Sequence, residues 1–246
     1  MGRYRGVLFD LFGTLVRFDP SRLPELDTGT ERVRSTAGGL TPLLAEWVPG
    51  VTAAEFWRAV LSVSEEMARA RANDLVELPS RERFRRALER VGCDDDRQME
   101  AALHLSRAHM ALIAEATVLP AAHADLFASV RAGHRVGLVS NFDDTSAAYE
   151  ILVRHGVAHA FDTVIVSEAL GLRKPHPAVV RAALRGLGLD AADVLLVGDT
   201  FAEDVLGAQA AGVDAVWIDV HGVGAPPSQP PPRHVIRALP ELAGLL

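Results

Sequence analysis

Three short apolar runs of this chain end in polar residues that could bind or attack an anionic group, and a fourth supplies a lysine just beyond its end. Val7-Leu8-Phe9 runs into Asp10, Arg135 to Val139 into Ser140-Asn141, and Val194 to Val197 into Gly198-Asp199, with Asp204 five residues on. The run Thr163 to Val166 is followed by Gly171-Leu172-Arg173-Lys174-Pro175. Taken singly, each has an ordinary explanation: Ser-Asn after a strand caps a helix, Lys-Pro sits in a solvated turn, and Asp199 and Asp204 cap a helix. Four such ends at one edge of one sheet are harder to dismiss. A carboxylate does not approach a phosphoryl group unless charge is neutralised, and a bound Mg²⁺ does this well. Asp10 and Asp199 can supply two hard oxygen ligands, while Ser140, Asn141 and Lys174 can hold the non-bridging oxygens during in-line transfer. Asp10 would attack phosphorus, and water would hydrolyse the aspartyl-phosphate.

Such residues need a scaffold that gathers the ends of separated strands. From about residue 120 onward short apolar strands alternate with helices. Strands are expected at 135–139, 163–166, 194–197 and 215–218, the last clear one. The helices between them stop at Gly133, Gly156 and Gly212, and one is opened by Pro177 and carries Val180, Leu184 and Leu187. That alternation implies βαβ units and a parallel sheet, whose ligands bind at the carboxyl edge.

Between Thr14 and residue 135 the strand pattern is absent. Thr52 and Glu55 form a capping box ahead of Phe56, Val60, Val63 and Met67 on one helical face. Ser80 is placed to cap a second helix with Phe84, Leu88 and Val91 inward and Gly92 as its stop. Asp94 to Asp96 would begin a third, with Met99, Leu103, Met110 and Ile113 inward. Pro20, Pro24, Gly29, Gly38, Gly39 and Pro42 make residues 17–50 read as loop. The expected fold is α/β: a Rossmann-like parallel sheet core from residues 1–15 and 117–246, interrupted by an α-helical cap domain at 16–116. Residues 222–232 read as a stiff, proline-rich surface loop.

Composition narrows the classes. A 246-residue chain with 49% hydrophobic and 23% charged residues is ordinary globular protein. A net charge of −7 argues against a nucleic-acid backbone as the main partner. Cys93 is the single cysteine, which excludes an internal disulfide and a cysteine-rich zinc site. No stretch approaches the roughly 20 apolar residues that span a bilayer. The N-terminus runs straight into the first strand without the pattern of a signal peptide, and Gly6 stands where myristoylation wants Ser or Thr. A cytoplasmic enzyme is therefore the expectation. His176, between two prolines, reads as a loop residue near the site, and His104, His109, His123, His155 and His159 show no paired-ligand spacing.

In order and spacing, the four motifs resemble those of the haloacid dehalogenase (HAD) superfamily over nearly the whole chain, with a helical cap after the first strand. The resemblance implies that Asp10 is nucleophile and metal ligand and that the Phe12 carbonyl is a further ligand. It matches Ser140 and Lys174 to the second and third motifs. Asp199 and Asp204 match the acidic pair, one a ligand and the other a ligand or its close support. A Mg²⁺-dependent phosphatase of a small phosphorylated metabolite follows from it.

One position departs from the pattern. The superfamily's phosphatases carry a second Asp two residues after the first, which protonates the leaving oxygen and later activates water; here that position is Phe12. Losing a general acid or base costs about 10²–10⁴ in rate. Either the substrate leaves unaided, as an acyl phosphate or phosphoanhydride does, or another group (Asp143, Asp144 or Glu203) substitutes. The superfamily's haloacid dehalogenases also lack the second Asp, usually carrying Tyr, and attack carbon without a metal. Phe12 points toward them, whereas Asp199 and Asp204 point to the metal-using phosphatases. A 2-haloacid dehalogenase would also need a basic side chain for its substrate's carboxylate; Arg58, Arg69, Arg71 and Arg81 are available in the cap. A third reading is a non-catalytic protein that binds a phosphoester or pairs with a partner. The expected partner is a small phosphorylated molecule, with no nucleic acid and no membrane. The particular substrate and the oligomeric state stay open, because specificity in this architecture lies in the cap.

Overall fold

Runs of Val, Leu and Ile that are apolar at every position can only be strands covered on both faces, and these runs form the centre of the protein. A computed structural model describes residues 3–93 and 96–246. Its strands are β1 (Gly6–Phe9), β2 (Arg17–Phe18), β3 (Glu25–Asp27), β4 (Arg32–Arg34), β5 (Thr117–Val118), β6 (Arg135–Ser140), β7 (Thr163–Val166), β8 (Val194–Gly198), β9 (Asp214–Ile218) and β10 (His234–Ile236). Its α-helices are α1 (Ala37–Trp47), α2 (Ala53–Asp74), α3 (Ser80–Arg90), α4 (Gln98–Glu115), α5 (Ala121–Gly133), α6 (Thr145–Arg154), α7 (Ser167–Leu170), α8 (Pro177–Leu187) and α9 (Leu206–Ala210). The chain divides into two compact units, Met1–Arg17 with Val118–Thr145 and Leu152–Leu246, and Phe18–Thr117 with Ser146–Ile151.

The first unit holds a six-stranded sheet in the order β10-β9-β8-β1-β6-β7, parallel at every pairing. The expected α/β class therefore holds. β1 is fully buried between β8 and β6, with Leu8 opposite Leu196 on one side and Gly137 on the other. The chain leaves β1 in both directions across the sheet, so the carboxyl ends of β1, β6 and β8 flank a topological switch point. One face is covered by α8 and α9 through Val179, Val180, Ala183, Leu187 and Ala208, packed on Leu8, Val139, Val194 and Leu196. Each such fully buried Val or Leu contributes about 1.5–3 kcal/mol. β10 lies beyond the proline-rich loop at the sheet edge and was not apparent from the sequence, since only three residues follow the strand pattern there.

The second unit is helical apart from short strands. The Thr52–Glu55 capping box forms: Glu55 N donates to Thr52 Oγ1 at 3.2 Å and Thr52 N to Glu55 Oε2 at 2.9 Å. Phe56, Val60, Val63 and Met67 are buried as the spacing predicts, in a cluster with Leu40, Leu44, Phe84, Leu88 and Leu105. Two expectations need correction, and a third lies outside the described residues. Ser80 does not cap α3; Pro79 holds that place, and buried Ser80 hydrogen-bonds the Ser106 hydroxyl. In α4 Met110 is buried as expected, but Met99 is 55% exposed and Leu103 and Ile113 are only partly buried; Ala101, Ala102, Leu105 and His109 fill the inward face beside Met110. Asp94 and Asp95 lie outside the described residues, and α4 begins at Gln98.

Residues 17–50 are not simply loop. They form an antiparallel hairpin of β3 and β4 and the helix α1. Gly38 and Gly39 belong to that helix, where they permit contact rather than a turn. A β-carbon on Gly38 would stand 2.2 Å from Glu25 O, and one on Gly39 would stand 2.7 Å from Leu112 Cδ1. Pro42 sits inside α1, and the Thr41 hydroxyl donates to Gly38 O at 3.3 Å, the carbonyl that a residue-42 amide would otherwise engage.

Candidate active site

β1 delivers Asp10 to the carboxyl edge of the sheet, where its amide still bonds Val197 O at 2.9 Å and its side chain is buried. The chain then turns sharply. Val16 N donates to Leu11 O and Gly13 N to Val16 O, both at 2.9 Å, a bridge that leaves the Phe12 carbonyl outside it. His123 Nδ1 lies 3.0 Å from Leu15 O and buttresses the same turn. Gly13 is at φ +76°, and a β-carbon there would fall 2.1 Å from Asp199 Oδ2. Glycine is needed at position 13 for both reasons.

Lys174 is the electrostatic centre. It is 1% exposed, and its Nζ donates to Asp10 Oδ1 at 2.7 Å, Asp204 Oδ1 at 2.5 Å and Val139 O at 2.7 Å. Asp204 lies on a π-helical turn, Phe201–Val205, and its second oxygen accepts from Thr200 N at 2.9 Å. That wide turn, a form often found at functional sites, follows Gly198, where a β-carbon would collide with the Asp204 carboxylate. Asp199 is half-buried, and Trp217 Nε1 holds its carbonyl at 2.9 Å. Oxygens of Asp10, Asp199 and Asp204 all lie within 4.8 Å of one another.

Three carboxylates around one ammonium leave excess negative charge in a poorly hydrated place. Burial pushes the Asp10 carboxyl up to about 7, against the pull of Lys174, and Asp204 and Asp199 add to the rise. Asp199 is pushed up to about 6 by burial and then by Asp204. Burial opposes the charge on Lys174, but Asp10 and Asp204 outweigh it and hold its pKa above the usual lysine range. Crowded acids of this kind become fully ionised once a cation shares the site. The donor set fits Mg²⁺: hard carboxylate oxygens, with the Phe12 carbonyl available beside them.

A cleft of about 280 Å³ is lined by Asp10, Phe12, Gly13, Ser140, Asn141, Asp199, Thr200, Glu203 and Asp204. Asp10, Phe12, Ser140, Asn141, Asp199 and Asp204 thus meet around the cleft, and Lys174 ties two of the carboxylates together. Asn141 has a different immediate task from the one its type suggested. Its Nδ2 donates to Lys174 O at 3.0 Å and its Oδ1 accepts from Lys174 N at 2.7 Å, so its side chain holds the lysine's backbone. Of the three acids considered as substitutes at the Phe12 position, Glu203 reaches the cleft and pairs with Arg173 at 2.8 Å; Asp143 and Asp144 are not among the lining residues. Sequence reasoning missed Val139 O as the third lysine acceptor and Trp217 as the support of Asp199, contacts between distant segments that carry no local signal. His176 caps α8, its Nδ1 accepting from Ala178 N at 3.2 Å.

A larger cavity, about 820 Å³, lies wholly in the helical unit among Leu26, Val33, Trp57, Leu61 and Ile113. It contains none of the clustered carboxylates, which line the smaller cleft. Among the described residues no helix is long and apolar enough to cross a membrane.

Comparison with known proteins agrees with this geometry. The chain is 37% identical over 142 residues to a phosphoserine phosphatase of Thermus thermophilus, covering 57% of this chain and 55% of that protein. It is 39% identical over 124 residues to a phosphoglycolate phosphatase of Rhodospirillum rubrum, covering 50% and 51%. The chain thus spans about half the length of these curated relatives. A 2-haloacid dehalogenase from Pseudomonas syringae pv. Tomato shares the fold over 98% of this chain and 97% of that one, with a TM-score of 0.72 and 23% identity. Residues 4–212 match the profile of the haloacid dehalogenase-like hydrolases, and the chain belongs to that family.

Proposed function

We propose that this protein is a Mg²⁺-dependent phosphohydrolase of small phosphorylated metabolites, working in the cytoplasm through an aspartyl-phosphate at Asp10. The observation that carries the reading is the convergence of Asp10, Asp199 and Asp204 within 4.8 Å, with Lys174 bonded to two of them. A site built to expel halide from carbon has no use for so much negative charge. The names of the two phosphatase relatives support the same reading.

Asp10, Asp199, Asp204 and the Phe12 carbonyl would hold the cation, which when bound offsets the charge of the phosphoryl oxygens. Asp10 presents its free carboxylate oxygen to phosphorus while Lys174 holds the other in place. Ser140 at the end of β6 is placed to donate to a phosphoryl oxygen, and Lys174 supplies positive charge beside it. Asn141 serves by fixing Lys174. A bond forms from Asp10 to phosphorus as the bond to the leaving oxygen breaks, and water then displaces the Asp10 carboxylate to give inorganic phosphate. The cleft of about 280 Å³ suits a phosphoryl group and little more, and we assign substrate selection to the helical insertion acting as a cap domain.

Phosphate release from acetyl phosphate, phosphoglycolate and phosphoserine, with Mg²⁺ and with EDTA, tests the reading. Release that requires both Mg²⁺ and Asp10, judged with Asp10→Asn, is expected. No release from any of the three overturns it. Phe12 is the one observation favouring a 2-haloacid dehalogenase, and metal-independent chloride release from 2-chloropropionate would establish that instead. The cations beside the cleft, Lys174 and Arg173, are already paired with Asp10, Asp204 and Glu203, which weighs against capture of a haloacid carboxylate.

A further inference from the structure

Phe12 is one of the residues lining the cleft, and its ring meets Phe142 edge to face, with centroids 5.1 Å apart. The position two residues beyond the nucleophile thus holds a ring with no proton to give, seated by a second ring. We infer that Phe12 restricts the enzyme to substrates whose leaving group departs as a weakly basic anion, and that the substrate class is an acyl phosphate; this rests on the phosphohydrolase reading above.

Among the described residues that line the cleft, none is free to protonate a leaving oxygen, and none is a histidine, tyrosine or cysteine. Asp10 is the nucleophile, and Asp199 and Asp204 belong to the cation's oxygen set. Glu203 is engaged by Arg173 at 2.8 Å. Lys174 Nζ already donates to three acceptors, Asp10, Asp204 and Val139 O.

The two chemical steps then place different demands on the substrate. In the second step water attacks phosphorus, the bond from phosphorus to Asp10 breaks, and its electron pair returns to the Asp10 carboxylate. The water proton passes to a phosphate oxygen or to solvent. That leaving group is a carboxylate, whose acid has a pKa of about 4, so no proton donor is required. Phosphoryl transfer through a loose transition state also asks little activation of the incoming water.

The first step matches this only if its leaving group is equally weakly basic. With an acyl phosphate, Asp10 bonds to phosphorus, the bridging P–O bond breaks, and the pair leaves on the substrate's own carboxylate. Both steps are then the same exchange between two carboxylates. With an alkyl phosphate the pair leaves on an alkoxide, which needs a proton that nothing in the cleft supplies.

The test measures kcat/KM of the full chain with Mg²⁺ on acetyl phosphate and on phosphoglycolate, for the wild type and Phe12→Asp. Acetyl phosphate should be strongly preferred by the wild type. Phe12→Asp should raise the ratio of phosphoglycolate to acetyl phosphate activity by about 10²–10⁴, the usual effect of a general acid. A series of aryl phosphates with leaving phenols of graded acidity, run on the wild type alone, avoids reliance on a folded variant. Its rates should fall steeply as the phenol becomes more basic. Equal wild-type activity on the two probes, or rates indifferent to phenol basicity, overturns the inference while leaving the phosphohydrolase intact. Absence of Asp10-dependent release from every probe overturns both.

Discussion

Replacing Asp10 by Asn should make the metal-free protein more stable. In the folded state burial raises the Asp10 pKa from 3.8 to about 7. Below the unfolded value the carboxyl is protonated in both states and its folded environment costs nothing. As pH rises the unfolded chain ionises first, so the stability present at low pH is lost progressively until the folded carboxyl ionises at about 7. At about 1.4 kcal/mol per pH unit, a shift from 3.8 to about 7 amounts to about 4 kcal/mol. Asn has the same shape and no charge to bury, and Lys174 keeps Asp204 and Val139 O as acceptors. The stability of Asp10→Asn minus wild type should therefore be near zero at about pH 4 and grow to about 4 kcal/mol by about pH 8 in EDTA. Saturating Mg²⁺ should narrow the gap by binding the wild-type site more tightly than the variant's. Urea unfolding should be followed by Trp217 fluorescence with Trp47 and Trp57 replaced by Phe, because Trp217 alone among the tryptophans lies in the α/β unit. A variant no more stable than wild type at about pH 8, or a gap that does not depend on pH, would refute the account of the site as a store of uncompensated negative charge.

Other substitutions probe the remaining links. Lys174→Met leaves two buried carboxylates without their ammonium and should cost about 3–5 kcal/mol in EDTA at neutral pH, partly restored by Mg²⁺, as thermal melts with and without the ion would record. Gly13→Ala forces a side chain into φ +76° and against Asp199 Oδ2; it should cost more than about 1 kcal/mol and weaken Mg²⁺ binding measured by calorimetry. Thr52→Ala breaks the capping box of α2 and should lower the stability of the helical unit by about 1 kcal/mol without altering the kinetics of phosphate release.

Local sequence determined the strand ends at Asp10, Ser140 and Asp199, because runs of Val and Leu covered on both faces have only one way to be satisfied. The capping box of α2 was equally legible, since its donors and acceptors are three residues apart. Distance along the chain separates these from what was missed. Pro42, Gly38 and Gly39 suggest loop when read alone, yet they form a helix because Glu25 O and Leu112 approach so closely that only glycine fits. Met99 has the spacing of an inward residue, yet Ala101, Ala102 and Leu105 fill the inward face of α4 beside Met110. The site shows the same division. Residue types announced carboxylates, a lysine and a missing acid at Phe12, all of which are properties of single positions. That Asn141 holds Lys174 rather than facing a ligand alone, that Val139 O completes the lysine's shell, and that Asp10 and Asp199 have raised pKa values were decided by tertiary structure. Those properties depend on burial and on distances of a few ångströms between groups that the fold brings together, which no periodicity in the sequence encodes.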